Sequence, residues 1–255
     1  MKIKKIIKKL FNIFGLDIIK YNSDIKHESF DKILLDKVSN NPIIFDIGAN
    51  SGQSINRFQK LFSNYEIHSF EPIKHEFEIL KKKYGNKKNI FLNNVAVGDE
   101  KGLRKFNITE NSQNSSFNNI NPGTKWLEKR SKQFNVAEDK FVKKIEDIKL
   151  VTLDNYCKEN KIDEIDILKI DTQGYEDKVL RGSKDLIKNN KIKAIIAEIM
   201  LDDVYDKCFS FSELEKYLIP YNFRIVGIDL MNNNLFSSII FAADVMYFNK
   251  KHFKI

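Results

Sequence analysis

Seven apolar runs recur along this chain, over residues 42–47, 66–70, 90–97, 165–170, 194–199, 223–228 and 239–248. Runs that are apolar on both faces read as strands buried between layers, not as half-exposed strands. Between them, apolar positions repeat every three or four residues over 53–62, 73–84, 176–189 and 211–218, which predicts helices. Ser210 and Ser212 stand just ahead of Glu213 and supply a serine N-cap for the last of these. Strands alternating with helices predict a mostly parallel open sheet with helices packed on it.

The alternation breaks between residues 98 and 149. Gly98-Asp99-Glu100-Lys101-Gly102 is a turn cluster, and 103–108 reads as a strand folding back in a hairpin. A polar stretch rich in Asn and Ser follows over 109–123, long enough to be a functional loop. Trp126, the only tryptophan, falls on a helix predicted over 124–134, where it either lines a cleft or packs into the core. The first twenty residues stand apart: Ile3, Ile6, Ile7, Leu10, Phe11 and Phe14 share one face of a helix, and Lys2, Lys4, Lys5, Lys8 and Lys9 fill the other. Such a basic amphipathic helix either lies on an anionic membrane surface or covers the main domain. The expected organisation is an N-terminal helical extension over 1–40 and one domain over 41–255.

A chain of 255 residues with 42% hydrophobic content can bury a sizeable core. Its net charge of +8 is spread through a chain in which Lys, Asn and Ile are abundant throughout, and no helix-turn-helix, RNA-recognition or zinc-finger signature accompanies it. Nucleic-acid binding is therefore not expected. No apolar run approaches the ~20 residues of a membrane span. Cys157 and Cys208 are far apart and neither belongs to a C-x-x-C pair, which points to a reducing cytoplasm and against structural zinc. A cytoplasmic location follows, with contact to the inner face of a membrane if residues 1–20 lie on it.

Two segments carry chemistry. In Ile43-Ile44-Phe45-Asp46-Ile47-Gly48-Ala49-Asn50-Ser51-Gly52-Gln53 a buried strand passes through a glycine turn into a helix, and Ser69-Phe70-Glu71-Pro72 ends the next strand in a carboxylate. Gly48 and Gly52 permit positive φ and are expected to let a ligand approach the backbone, while the helix near Gln53 offers unpaired N–H groups. Glu71 stands roughly 20 residues beyond the turn, where doubly wound folds place the acid that grips a ribose diol. A dinucleotide site wants G-x-G-x-x-G; here the pattern is D-x-G-x-x-x-G, and the carboxylate of Asp46 suits a ligand with a cationic amino-acid end, such as S-adenosylmethionine. The second segment, Ile167-Leu168-Lys169-Ile170-Asp171-Thr172-Gln173-Gly174-Tyr175-Glu176, is another strand that ends in a carboxylate and turns into a helix. Asp171 is either a site residue or a helix cap, and Glu198 is a further acid at the same sheet edge.

D-I-G-A-N-S-G, F-E-P, N-V-A-V-G-D, V-T-L-D-N-Y and L-K-I-D-T-Q-G-Y-E, in this order and spacing, resemble the FkbM-type S-adenosylmethionine-dependent methyltransferases over residues 41–248. The resemblance implies a class I, Rossmann-like fold: a seven-stranded, mostly parallel sheet with helices on both faces and an antiparallel last strand. It implies O-methylation of a hydroxyl, often on a sugar of a surface glycan, polysaccharide or natural product. Asp46, Gly48, Asn50, Gly52 and Gln53 match the cofactor turn, Glu71 the ribose acid, Asn94 and Ala96 the adenine border, and Asp171, Gln173 and Gly174 the segment facing methyl donor and acceptor. Ser115 and Ser116 resemble a serine pair in the variable loop and are substrate-binding candidates. An alcohol acceptor has to lose a proton, so a general base is needed; Asp171 is the first candidate, Glu198 the second and His75 the third. His68 reads as a sheet residue. No metal is assigned, because no His-rich ligand spacing is present. Two alternatives stay open: an NAD-dependent oxidoreductase, and a non-catalytic glycan-assembly protein with a degenerate methyltransferase fold.

Overall fold

The apolar strands split by period two into two faces, and each face collects its own set of helices. In the computed structural model, which describes residues 29–230 and 240–253, the chain begins with helix α1 (Phe30–Lys37), strand β1 (Ile43–Ile47), α2 (Gln53–Leu61), β2 (Glu66–Phe70), α3 (Lys74–Tyr84) and β3 (Ile90–Asn93). An excursion follows through β4 (Ala96–Val97), β5 (Gly102–Thr109), α4 (Lys125–Phe134) and β6 (Val142–Val151). The core then resumes with α5 (Leu153–Asn160), β7 (Ile165–Ile170), α6 (Glu176–Arg181), α7 (Lys184–Lys188), β8 (Ile192–Met200), α8 (Phe211–Leu218), β9 (Phe223–Leu230) and β10 (Ala242–Asn249). Seven strands form one sheet in the order β3-β2-β1-β7-β8-β10-β9. The first five pair in parallel, and β10 inserts antiparallel between β8 and β9.

Side chains alternate across each strand, so Ile44, Ile67, Ile167 and Ile196 pack on one face with Phe30 and Leu34 of α1, Ile55 and Phe58 of α2 and Leu80 of α3. Phe45, Phe70, Leu168 and Ile195 pack on the other with Leu153, Leu180, Ile187 and Leu218 of α5 to α8. The packed body therefore includes α1 and starts ahead of residue 41. The amphipathic segment 1–20 lies outside the described residues. Among the described residues no helix is long and apolar enough to cross a membrane.

Several elements differ from the sequence pattern. The run 90–97 is two strands: β3 edges the main sheet, while β4 joins β6 and β5 in a separate three-stranded sheet. The strand expected over 103–108 forms, but its antiparallel partner is β6, which the lysine-rich pattern of 142–151 had hidden. Helix α5 was likewise not predicted; Thr152 caps it by accepting a hydrogen bond from Asn155 N. The helix expected over 176–189 is broken at Gly182, where the backbone passes so close to the Gly98 carbonyl that a Cβ would lie 1.9 Å from its oxygen. The stretch 109–123 is a packed loop: Asn114, Ser115, Ser116 and Asn118 are buried, and Ile120 bridges to Tyr205. Ser210 and Glu213 form a complete capping box on α8.

Leu34 is fully buried between α1 and the sheet. Leu34→Ala is expected to cost about 2–5 kcal/mol in urea unfolding; a loss under ~1 kcal/mol would show that α1 is not part of the cooperative body.

Candidate active site

β1 and β7 are neighbours, yet the chain continues from β1 toward β2 on one side and from β7 toward β8 on the other. In open α/β sheets a crevice forms at such a switch point, beyond the carboxyl ends of the strands. Here it holds a cavity of about 370 Å³. Gly48, Asn50, Gln53 and Ser54 line it from the first turn, Glu71, Pro72 and Ile73 from the end of β2, and Ala96 and Val97 from β4. Two apolar clusters reach it from different sides. One contains Ile73, Ala96, Phe106 and Tyr175 with Phe117 packed against it; the other contains Trp126, Met200 and Phe241. Lys169, Asp171, Thr172, Gln173 and Glu198 line it as well, at the ends of the central strands.

Four backbone amides of the first turn are bonded to neighbouring protein groups. Gly48 N and Ala49 N both donate to the Phe70 carbonyl, at 3.0 and 3.1 Å, and Gly52 N donates to Ala49 O. Asn50, at φ 46°, donates its N–H to Glu71 Oε2 at 2.8 Å. Glu71 Oε1 accepts from Ile73 N at 2.8 Å, so this one carboxylate ties the turn after β1 to the turn after β2. Burial pushes the Glu71 carboxyl up to about 7 against the pull of those two amides. Each carboxylate oxygen can accept a further hydrogen bond, and the residue faces the cavity.

The two glycines serve chain packing more than ligand approach. A Cβ on Gly48, at φ +83°, would fall 1.9 Å from the Asp171 carbonyl oxygen, so Gly48 lets the two strand-end turns touch. A Cβ on Gly52 would fall 2.6 Å from the Tyr84 ring, and Gly52 does not line the cavity. The expectation that both glycines make room for a ligand is corrected accordingly.

Charges cluster where β1, β7 and β8 end. Lys169 Nζ lies 3.0 Å from Asp171 Oδ2. Gln173 donates from Nε2 to Asp171 Oδ1 at 3.1 Å and also to Glu198 Oε2. The Tyr205 hydroxyl lies 3.0 Å from both Gln173 Oε1 and the Asn114 carbonyl, which orients the amide. Burial alone would raise Asp171, but the Lys169 ammonium outweighs it and holds the carboxyl below its ordinary value. Burial, reinforced by the Asp171 charge, pushes Glu198 well above its ordinary value. The two carboxyls are thus pushed in opposite directions, and Asp171 is the more readily ionised member of the pair. Below this row, Glu176 Oε1 accepts from Thr172 N, Thr172 Oγ1 and Gly174 N and fixes the turn that carries Gln173.

Of the residues singled out by sequence, Gly48, Asn50, Gln53, Glu71, Ala96, Ser115, Asp171, Gln173 and Glu198 line the cavity, and Asp46, Gly52, Asn94 and Ser116 do not. Asp46 is wholly buried beside Lys169 in the strand register, and neither of its oxygens has a hydrogen-bond partner. Asn94 is exposed and donates to the Glu71 and Pro72 carbonyls, supporting the Glu71 turn from behind. Ser116 donates to Gln173 O at 2.7 Å, and Ser115 Oγ accepts from Thr109 N. His75 is exposed on α3 and off the cavity. His68 is a sheet residue, its ring stacked 4.8 Å from Phe45 and 4.6 Å from Phe91. Trp126 is both a core residue, 2% exposed, and part of the cavity wall. Sequence reasoning gave no role to Lys169, Asn114, Tyr205 or Arg130. Lys169 carried a readable signal, since a lysine inside an otherwise apolar central strand needs a buried partner.

Strand order, the antiparallel last strand and a crevice closed by Glu71 and Asp171 define a class I methyltransferase, an enzyme that uses S-adenosylmethionine. The methyltransferase FkbM domain matches residues 46–225, and this chain belongs to that family. The dinucleotide alternative loses its footing, because the family match is to a methyltransferase domain and the turn lacks G-x-G-x-x-G. The chain is 26% identical over 195 residues to the 2-O-methyltransferase NoeI of Sinorhizobium fredii, a match spanning 76% of each chain. Among solved structures, M. capricolum TrmK in complex with S-adenosylhomocysteine aligns with a TM-score of 0.44 at 11% identity, over 88% of this chain and 70% of that one. An rRNA methylase from Streptococcus thermophilus aligns with a TM-score of 0.46 at 9% identity, over 88% and 99%.

Asp46 supplies a test of these electrostatics. Burial pushes its carboxyl from 3.8 up to about 6 against the opposing Lys169 charge. A carboxyl raised in the folded state binds more protons there than when unfolded, so its stabilising contribution is full below about pH 4 and is lost as pH climbs through about 6. The loss is on the order of 3 kcal/mol, at about 1.36 kcal/mol per pKa unit. Asp46→Asn is expected to flatten the decline in stability between pH 4 and pH 7, measured by urea unfolding without cofactor. Parallel wild-type and variant curves would show that Asp46 does not titrate in this window.

Proposed function

We propose that this enzyme transfers a methyl group from S-adenosylmethionine to a hydroxyl oxygen of a sugar, in a surface glycan, polysaccharide or related natural product. The observation that carries the reading is Asp171: a carboxylate kept ionised by Lys169, a third of its side chain exposed, on the wall of the cavity. An alcohol needs such a group to take its proton. Ser112, Gln113 and Asn114 line the same cavity with Trp126, a set of polar groups beside an aromatic face that suits a polyol. The O-methylating relative NoeI supports the same acceptor chemistry.

In this reading Glu71 accepts the ribose hydroxyls with the lone pairs its two amide bonds leave free. Ile73, Ala96, Phe106 and Phe117 flank the adenine, while Asn50 and Gln53 bound the rest of the cofactor. Asp46 acts at one remove, by adding negative charge beside Lys169, and Asn94 acts through the Glu71 carbonyl. S-adenosylmethionine supplies a methyl group on a positively charged sulfur, so the protein need not generate an electrophile. What the chain contributes is alignment, worth up to ~7–11 kcal/mol for a well-held pair of reactants, and a proton acceptor worth ~10²–10⁴-fold. Asp171 takes the hydroxyl proton at the oxygen not engaged by Lys169. The Gln173 amide, itself anchored on Glu198, keeps that carboxylate in place, and Tyr205 keeps the amide from flipping.

Calorimetric titration with S-adenosylhomocysteine, followed by methyl-transfer assays on nucleotide sugars and glycans, tests the proposal. Asp171→Asn is expected to lower kcat by ~10²–10⁴-fold while S-adenosylhomocysteine affinity stays within a few-fold; unchanged turnover would remove Asp171 as the base. Glu71→Ala is expected to weaken that affinity by ~1–3 kcal/mol. An unaltered binding constant would reject the ribose assignment.

A further inference from the structure

One cation on the cavity wall has no part in the chemistry above. We infer that Arg130 recognises an anionic group on the acceptor, a carboxylate or phosphate carried by the sugar; this deepens the sugar-methylation reading and rests on it.

Arg130 lies on α4, four residues after Trp126, and both line the cavity beside Met200 and Phe241. Its guanidinium sits 5.6 Å from the centroid of the Trp126 indole, close enough for the ring to hold it in place. Nη1 donates to Gln133 Oε1 at 3.0 Å. Nε is buried and has no partner. A guanidinium carries five N–H donors, and buried donors are ordinarily paired, so a buried Nε–H beside a cavity is an unfilled demand for an acceptor. Among the described residues no carboxylate forms an ion pair with Arg130, whereas the acids lining the cavity are answered elsewhere. Asp171 has Lys169, Glu71 has two backbone amides, and Glu198 has the Gln173 amide. Burial pulls the Arg130 guanidinium below its ordinary value, the direction expected of a cation without a counter-charge.

The shape of the group narrows the ligand. The planar guanidinium keeps Nη2 free of any hydrogen bond to the described residues, a charged donor for an oxygen of a carboxylate or phosphate. A neutral sugar would offer that donor only single hydroxyls. In this reading the anion belongs to the acceptor, such as a uronic acid or a sugar phosphate, with Trp126 beneath the charged group and Asp171 at the hydroxyl to be methylated. The cofactor's own carboxylate is the competing source, and a loss of S-adenosylhomocysteine affinity in Arg130→Gln would assign the arginine to it and overturn the inference.

The sole tryptophan of the chain lies directly under Arg130, so intrinsic fluorescence reports on this site. Full-length enzyme saturated with S-adenosylhomocysteine is titrated with glucuronate, glucose 1-phosphate and glucose. The expected result is a saturable fluorescence change with at least one charged sugar and none with glucose at tenfold higher concentration; which charged sugar responds distinguishes carboxylate from phosphate. Arg130→Gln is expected to weaken that binding roughly 10–100-fold, the range for losing a charge-assisted pair, with S-adenosylhomocysteine affinity unchanged by calorimetry. Arg130→Lys is expected to keep the preference for the charged sugar at reduced affinity, and carries the test if the Gln variant does not fold. An equal response to glucose, no response to either charged sugar, or an Arg130→Gln variant that binds as the wild type does would each overturn the inference. Failure of wild-type enzyme to bind S-adenosylhomocysteine would instead strike the methyltransferase reading, so the two failures are distinguishable.

Discussion

The contact between Lys169 and Asp171 sets the chemistry of this site, and the surrounding structure is arranged to preserve it. The lysine occupies the central strand of the sheet, flanked in the β1 register by Asp46. A buried ammonium survives there only because carboxylates surround it, and a buried ion pair of this kind is weak evidence for stability. Its consequence lies in protonation. Without Lys169, burial would raise Asp171 as it raises Asp46, Glu71 and Glu176. With it, one carboxylate in an acidic neighbourhood is held toward its ionised form while its neighbour Glu198 is pushed toward the neutral one. Two acids at one sheet edge thereby acquire different capacities from their surroundings alone.

A second constraint is the closeness of the turns that end β1, β2 and β7. Gly48 packs against the Asp171 carbonyl, the Phe70 carbonyl receives two amides of the first turn, and Glu71 spans the first and second turns. Each of these bonds removes a backbone group from the pool available to ligand. The three turns, held together in this way, place Asn50, Glu71 and Asp171 on one cavity wall.

The core strands and most helices were legible because both-face hydrophobicity and helical periodicity are local signals. Glu71 and Asp171 were legible for a related reason: a carboxylate at the end of an apolar run, before Pro72 in one case and Gly174 in the other, is conspicuous. The misses have physical causes too. β6 is exposed along most of its length, so its lysines masked the strand. The 90–97 run looked continuous because no Gly or Pro marks the point where the chain changes sheets, and Asn93-Asn94 was the one turn signal there. Gly182 gave no hint of breaking a helix, since its neighbour Gly98 lies far away in sequence. Gly52 was read for ligand clearance, whereas Tyr84 fills the space.

The local pattern of this chain was sufficient to specify the alternation of strands and helices, the carboxylates at the strand ends and the family to which those motifs belong. Such features depend on neighbouring residues and on side-chain chemistry, which any stretch of sequence displays. Tertiary structure alone decided in which direction each acid is shifted, that Asp46 and Lys169 are buried side by side, that Glu71 ties two turns together, and that Arg130 and Trp126 share the cavity wall with Asp171. Those properties come from burial and from contacts between segments distant in sequence, and desolvation and long-range pairing are invisible until the chain has folded.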